Sequence, residues 1–164
     1  MKIVIISDTH IPERAEALPA RIVDEIKTAD AVIHAGDLTS SEFYEQLKSI
    51  SKMLYAVRGN MDGYVVGQIL PEKIFFNLAS KNIGVMHGNG APAGLENLTY
   101  NVFKDDKPDI IIFGHSHRAL EKQKGNVLML NPGSCTDHLF TNKRSFMILT
   151  INQGECKVEI VELE

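Results

Sequence analysis

Apolar residues in this chain fall into short runs that end abruptly in polar tails. Lys2–Ile6 is apolar and β-branched and is followed by Ser7-Asp8-Thr9-His10. Ala31–His34 ends in Ala35-Gly36-Asp37, and Met53–Val57 ends in Arg58-Gly59-Asn60-Met61-Asp62. Asn82–Met86 ends in His87-Gly88-Asn89-Gly90, and Asp109–Phe113 in Gly114-His115-Ser116-His117. Short apolar runs of this kind predict buried strands. Between them the spacing becomes helical. Ile22, Val23 and Ile26 predict a helix over Ala20–Lys27, and Phe43, Leu47 and Ile50 a helix from a Ser40 or Ser41 cap to about Ile50. Leu95, Leu98, Val102 and Phe103 predict a third helix within Ala93–Phe103, with Pro108 as a stop signal. Ile69–Leu78 predicts a strand neighbouring Asn82–Met86.

From Leu120 onward the pattern turns to hairpins. Leu120–Lys124 and Val127–Leu130 flank Gly125-Asn126, then comes a loop at Asn131-Pro132-Gly133-Ser134. Ser145–Ile151 and Lys157–Val161 flank a turn at Asn152–Gly154. The strand–helix alternation followed by hairpins predicts an α/β sandwich: two packed sheets of mixed strand direction with helices on the outer faces. No repeat, linker or low-complexity stretch interrupts it, so residues 1–164 are expected to form one domain.

Composition narrows the chemistry. Apolar residues make up 44% and charged residues 23%, the balance of a water-soluble globular chain. The formal net charge is −4 with no basic block, so stable nucleic-acid binding is not expected, while a small phosphate-ester substrate remains compatible. Cys135 and Cys156 form no CxxC or disulfide framework and read as small hydrophobes in a reducing, cytoplasmic setting. No apolar stretch approaches the length of a membrane span, and Met1-Lys2-Ile3 leads straight into a strand, so no signal peptide is expected.

The polar tails carry the candidate chemistry. If their strands lie side by side in one sheet, Asp8, His10, Asp37, Asn60, His87, His115 and His117 converge: two carboxylates, one amide and four imidazoles. That is more than one open metal site uses, but it suits two metals sharing a bridging carboxylate. Two aspartates, a bridging hydroxide and one singly charged phosphodiester balance two divalent ions. Oxygen and nitrogen donors without thiolate fit manganese, nickel, zinc, iron or magnesium without picking among them, and manganese is taken as the first expectation. The neighbouring glycines let the backbone turn beside the metals and leave room for a substrate.

The ordered series Asp8-x-His10, Gly36-Asp37, Gly59-Asn60, His87 and Gly114-His115-x-His117 resembles the calcineurin-like metallophosphoesterase superfamily. Within it the chain looks most like the small single-domain phosphodiesterases of the YfcE/MJ0936 type, a likeness that runs to about Ser134. The resemblance implies a metallophosphoesterase fold and a phosphodiesterase in which a metal-bound hydroxide attacks phosphorus in line. It implies that Asp8, His10 and His117 hold a first metal, that Asn60, His87 and His115 hold a second, and that Asp37 bridges them. Asn60 and His87 are then candidate catalytic residues, and Arg58, Asn60 and Asn89 candidate substrate contacts.

One position departs from the superfamily pattern. The residue after Asn60 is Met61, where many members carry a histidine thought to protonate the leaving group. General-acid help is typically worth ~10²–10⁴-fold, so this departure points to substrates with good leaving groups, to another acid or to weak activity. Small relatives of the same type also lack that histidine. Two further readings belong to the same fold. One is a non-catalytic scaffold resembling the retromer subunit Vps29, docking partners through an apolar patch; the other is a phosphomonoesterase or cyclic-nucleotide phosphodiesterase. His34 reads as a buried histidine with a hydrogen-bond partner, and orienting Asp37 or a neighbour is its functional alternative. Asp62 reads either as a hydrogen-bonding group near the second metal or as a turn residue, and His138 as a surface histidine or a substitute acid. Two-fold pairing into a homodimer is the base-rate expectation for a small enzyme.

Overall fold

A computed structural model describes residues 1–164 as two five-stranded sheets packed face to face, with helices outside both. The strands are β1 (Lys2–Ile6), β2 (Ala31–His34), β3 (Leu54–Ala56), β4 (Lys73–Leu78), β5 (Lys81–Met86), β6 (Ile110–Ile112), β7 (Ala119–Lys124), β8 (Val127–Pro132), β9 (Arg144–Asn152) and β10 (Glu155–Leu163). The helices are α1 (Ala20–Thr28), α2 (Ser41–Ile50), α3 (Tyr64–Ile69) and α4 (Leu95–Phe103). The first sheet has the order β10-β9-β1-β2-β3 and the second β4-β5-β6-β8-β7.

The apolar runs explain the layering. In β1, Ile3 and Ile5 face the second sheet, while Val4 and Ile6 pack with Ile22 and Ile26 of α1 and Phe43 and Leu47 of α2. In β6, Ile110 and Ile112 face the first sheet, and Ile111 packs with Leu95 and Phe103 of α4. Strands covered on both faces cannot alternate with polar residues, which is why they read as unbroken hydrophobic runs. Helix α2 starts where Ser40 accepts a hydrogen bond from the Phe43 N–H at 3.0 Å.

Register brings the strand ends level. In the parallel trio β1-β2-β3, Ile6 pairs with His34 and His34 with Ala56. In the second sheet Val85 of β5 pairs with Ile112 of β6, and Ile112 with Leu130 of β8, again all parallel. Both carboxyl edges lie at one end of the sandwich, where they meet.

Three expectations are corrected. The five tails do not leave one sheet: β1, β2 and β3 belong to the first, β5 and β6 to the second. Ile83 and Val85 pack across the gap on Ile3, Ile5 and Ile33, so the convergence is between sheets. The run Ile69–Leu78 divides. Val66 and Leu70, one turn apart, bury with the α1/α2 side of the core, Pro71 breaks the chain, and β4 begins only at Lys73. Asn131 and Pro132 are the last residues of β8, paired with Leu120 and Ala119; the loop starts at Gly133, with φ +74°.

The packing of α4 on β5 is tight at Gly84, where a Cβ would lie 2.9 Å from the Phe103 ring. Gly84→Ala should therefore destabilise the fold by about 1–3 kcal/mol. That is a lower melting temperature in a calorimetric scan, about 2–4 °C per kcal/mol for a chain of this size. An unchanged melting temperature would show that α4 yields at no cost.

Candidate metal centre

At the shared edge the tails fold onto one another. The Asp8 N–H donates to Gly36 O at 2.9 Å and the His10 N–H to Asp37 O at 3.0 Å, so the first two tails stay paired beyond their strands. The Gly114 N–H donates to His87 O at 3.1 Å, which does the same for the second sheet. Asp8 bridges the two sheets. Fully buried, its carboxylate accepts the His115 N–H, with oxygens at 3.0 and 3.2 Å. Its carbonyl accepts from Ser134 Oγ at 2.6 Å and Thr136 Oγ1 at 3.3 Å.

Glycines make this approach feasible. A Cβ on Gly114 would overlap Ser7 Oγ and come within 2.8 Å of Asp8 Oδ2; one on Gly59 would overlap Asp37 Oδ1. A Cβ on Gly36, whose φ is +98°, would lie 2.6 Å from His87 Nδ1. Five of the seven candidate ligands themselves sit in the left-handed region: Asp8 (φ 53°), His10 (44°), Asp37 (58°), His115 (67°) and His117 (56°). Such conformations cost of order 1–3 kcal/mol each and persist where the surrounding structure over-determines them.

The side chains form two clusters that share Asp8. Asp8, His10 and His117 offer donor atoms within 4.8 Å of one another, and so do Asp8, Asp37 and His87. Asn60 joins them: its Oδ1 lies 3.1 Å from His87 Nε2 and 2.8 Å from His115 Nδ1. His115 is half-buried, with Nε2 2.8 Å from Gly90 O, and enters neither three-residue cluster.

Each imidazole is oriented by what its other nitrogen does. His87 Nδ1–H donates to Ala35 O at 2.8 Å and turns Nε2 towards Asp37 Oδ2 at 3.2 Å. His117 Nδ1–H donates to Asp137 Oδ2 at 2.6 Å and turns Nε2 towards Asp8 Oδ1 at 3.3 Å. His10 Nε2 is buried without any hydrogen-bond partner, 3.7 Å from Asp37 Oδ2. An orphaned nitrogen among buried carboxylates, with nitrogen and oxygen donors and no thiolate, is what a divalent cation fits.

His34 is buried and hydrogen-bonded, as expected of it. Its Nδ1 accepts the Gly36 N–H at 3.2 Å, so Nε2–H is the donor to Thr9 Oγ1 at 3.0 Å. Burial pushes its pKa down to about 3, so it stays neutral. Of the two readings of Asp62, the hydrogen-bonding one matches its contacts. Its carboxylate accepts the N–H groups of Asp37 (3.1 Å), Thr39 (2.7 Å) and Gly59 (2.7 Å), fastening the β2 tail to the β3 tail. Arg58 donates to Gly67 O at 3.1 Å and pairs with Glu72; with Asn89 it borders a cavity of about 220 Å³ that Asn60 also lines. His138 is exposed.

The main cavity, about 380 Å³, is lined by His10, Asp37, Asn60, His115 and His117 together with Met61, Ser116, Arg14, Arg118 and Phe140. Arg14, Arg118 and Asp137 escaped the sequence reading. Asp137 lies 20 residues from His117 with no spacing rule to link them; the two arginines lie on loops without periodicity. The turn signal at Asn131–Ser134 was the nearest available pointer.

Electrostatics follow from the crowding. Burial raises the Asp8 carboxyl, but the hydrogen bond from His117 and the charges of His87 and His117 outweigh it and hold the pKa below the usual range. Burial lowers His87, yet Asp37 and Asp8 lift it to about 9. Burial also lowers His117, which Asp8 and Asp137 raise overall. Burial wins at His10, whose pKa falls despite Asp37 and Asp8.

Two facing sheets whose parallel edges meet over paired aspartates and histidines define a metallophosphoesterase-type domain. The chain belongs to the calcineurin-like phosphoesterase superfamily, whose domain pattern matches residues 1–154. It is 33% identical over 161 residues to a probable metallophosphoesterase of Methanothermobacter thermautotrophicus, covering 98% of this chain and 92% of that one. It is 28% identical over 175 residues to the phosphodiesterase MJ0936 of Methanocaldococcus jannaschii, covering 99% of this chain and all of that one. Among solved structures it is similar to wild-type Vps29 of Entamoeba histolytica complexed with zinc, at 29% identity and a TM-score of 0.76, covering 99% of both chains. No helix is long and apolar enough to cross a membrane.

Two outcomes are expected. At pH 7 His87 carries a proton in the metal-free protein, the pKa of His117 is also raised by Asp8 and Asp137, and a metal needs the lone pairs of both. Metal binding should release protons and tighten as the pH rises towards 9. Calorimetry in two buffers of different ionisation enthalpy reads this, and a buffer-independent heat would contradict it. Asp137→Asn should weaken metal binding about 10–100-fold by loosening the His117 ring, measured by competition with a chelating dye; unchanged affinity would show that the ring needs no such partner.

Proposed function

We propose that this chain is a two-metal-dependent phosphodiesterase. The observation that carries the proposal is the pair of clusters sharing Asp8, from which His10, Asp37 and His117 line, with Asn60, a cavity large enough for an ester. Similarity over its whole length to the phosphodiesterase MJ0936 supports the same reading.

Asp8, His10 and His117 are the residues for one ion, and His87, Asn60 and His115 for the other, with Asp37 between them. Manganese is the first candidate, and nickel, zinc, iron and magnesium suit the same donors. When bound, two such ions activate water and stabilise charge on the phosphoryl group. The chain itself supplies rigidity. Asp137 and Ala35 O fix the His117 and His87 rings, Asp62 holds the Asp37 and Gly59 backbones together, and the Met61 N–H donates to Asp37 Oδ1 at 2.7 Å. Asn60 lines both cavities, which supports it as a substrate contact, with Arg58 and Asn89 bordering the smaller cavity.

Met61 lines the main cavity and has no proton to give, and His138 does not line it. The leaving group therefore departs without an imidazole acid after Asn60, which favours aryl and other good leaving groups. The scaffold reading rests on the likeness to Vps29. Zinc binding alone does not separate the two, because the similar Vps29 is itself complexed with zinc.

Hydrolysis of bis-p-nitrophenyl phosphate against p-nitrophenyl phosphate separates them, with chelator-stripped protein titrated with manganese, nickel, zinc and magnesium. Diester turnover should exceed monoester turnover. In Asp37→Ala it should fall by two orders of magnitude or more, together with metal content. Silence towards both esters with every metal would favour the scaffold, and faster monoester cleavage a phosphomonoesterase.

A further inference from the structure

The rim of the main cavity carries charge that the metal centre does not use. Arg14 and Arg118 both line it, and neither guanidinium forms a hydrogen bond or ion pair with the protein. Arg14 is partly buried, in the segment after the first tail, and its guanidinium carbon lies 5.4 Å from the centroid of the Phe140 ring. Phe140 is 62% exposed, yet it is held in place: its N–H donates to Asp137 Oδ2 at 3.0 Å, and its edge meets His117 at 5.6 Å between ring centroids. Ser116 lines the same wall between His115 and His117.

Charge decides what this rim is for. Two divalent ions are balanced by Asp8, Asp37, a bridging hydroxide and one singly charged diester, so the scissile group needs no further cation. Two unpaired guanidiniums at the mouth then have no partner among the groups the reaction requires. Arginine suits phosphate because its planar fork donates two parallel hydrogen bonds. A cavity of about 380 Å³ also takes more than a phosphoryl group, since it lies in the range for small organic ligands.

We propose that Arg14 and Arg118 form a second anion subsite, and that the substrates are phosphodiesters carrying a further phosphate beside the scissile one, as in a nucleotide ester phosphorylated on its sugar. The proposal rests on the phosphodiesterase reading above. Phe140 is then a positioning residue: it holds Arg14 over its ring and is itself anchored by Asp137, which also fixes His117.

The test uses two esters that differ by one group: the p-nitrophenyl ester of thymidine 5′-monophosphate, with and without a 3′-phosphate. Each is cleaved by adding water across the same aryl P–O bond. With metal-loaded protein, the 3′-phosphate should raise kcat/KM about tenfold or more, mainly through a lower KM. The Arg14→Gln, Arg118→Gln double variant should bring the ratio close to one, and the corresponding Lys variant should keep part of it, since it retains charge without the fork. Equal kcat/KM for both esters in the wild type would overturn the subsite while leaving the phosphodiesterase reading intact. If neither ester is cleaved, that reading fails, and calorimetry decides the subsite separately. Thymidine 3′,5′-bisphosphate should bind the metal-loaded wild type at least about tenfold tighter than thymidine 5′-monophosphate does, a margin absent from the Gln variant; no margin in the wild type overturns it.

Discussion

A carboxylate with no solvent exposure cannot stand alone, because an uncompensated buried charge costs several kcal/mol. Asp8 solves this by gathering partners from the facing sheet: the His115 N–H, the His117 ring and the nearby His87 ring. Its own carbonyl is held by Ser134 and Thr136. The two halves of the sandwich close at this end because each supplies what the other must neutralise. The strained backbones around it follow, since Asp8, His10, Asp37, His115 and His117 all turn left-handed to bring short side chains into the seam.

Support for the site extends outward in ordered layers. Asp62 carries three backbone N–H groups and keeps the second and third tails in register. His34, neutral inside the first sheet, links the Gly36 N–H to the Thr9 hydroxyl. Asp137 belongs to two neighbourhoods at once, orienting His117 on one side and the Leu139–Phe140 backbone on the other. Its pKa shows this: burial raises it, but the Leu139 N–H, His117 and the Phe140 N–H together hold it below the normal carboxylate range. A loop that fixes the His117 ring thereby also fixes the cavity mouth.

Much of this was legible in the residues, for reasons that are themselves physical. Doubly covered strands have to be apolar throughout, so β1, β2 and β6 announced themselves, and tails that switch to Gly, Asp and His at the strand ends marked the site. What stayed hidden depends on which strands share a sheet. Nothing in Asn82–Met86 or Asp109–Phe113 says that they pair with each other and face β1 across a core. The run through Ile69 misled because Val66 and Leu70 bury on a helical turn that looks the same as a strand entry. Asp137, Arg14 and Arg118 obey no period and are brought to the cavity only by the closing of the sandwich.

The three glycines pressed against Asp8, Asp37 and His87 have an evolutionary consequence. Any replacement at Gly36, Gly59 or Gly114 adds at least a Cβ where a ligand or its neighbour already sits. The floor of the cavity is therefore closed to gradual exploration: a lineage either keeps it or abandons the chemistry. The rim is open in the opposite sense, because Arg14, Arg118 and Phe140 stand on connecting segments whose side chains hold up no strand. New specificities on this scaffold are expected to arise by drift at the mouth over an unchanging floor.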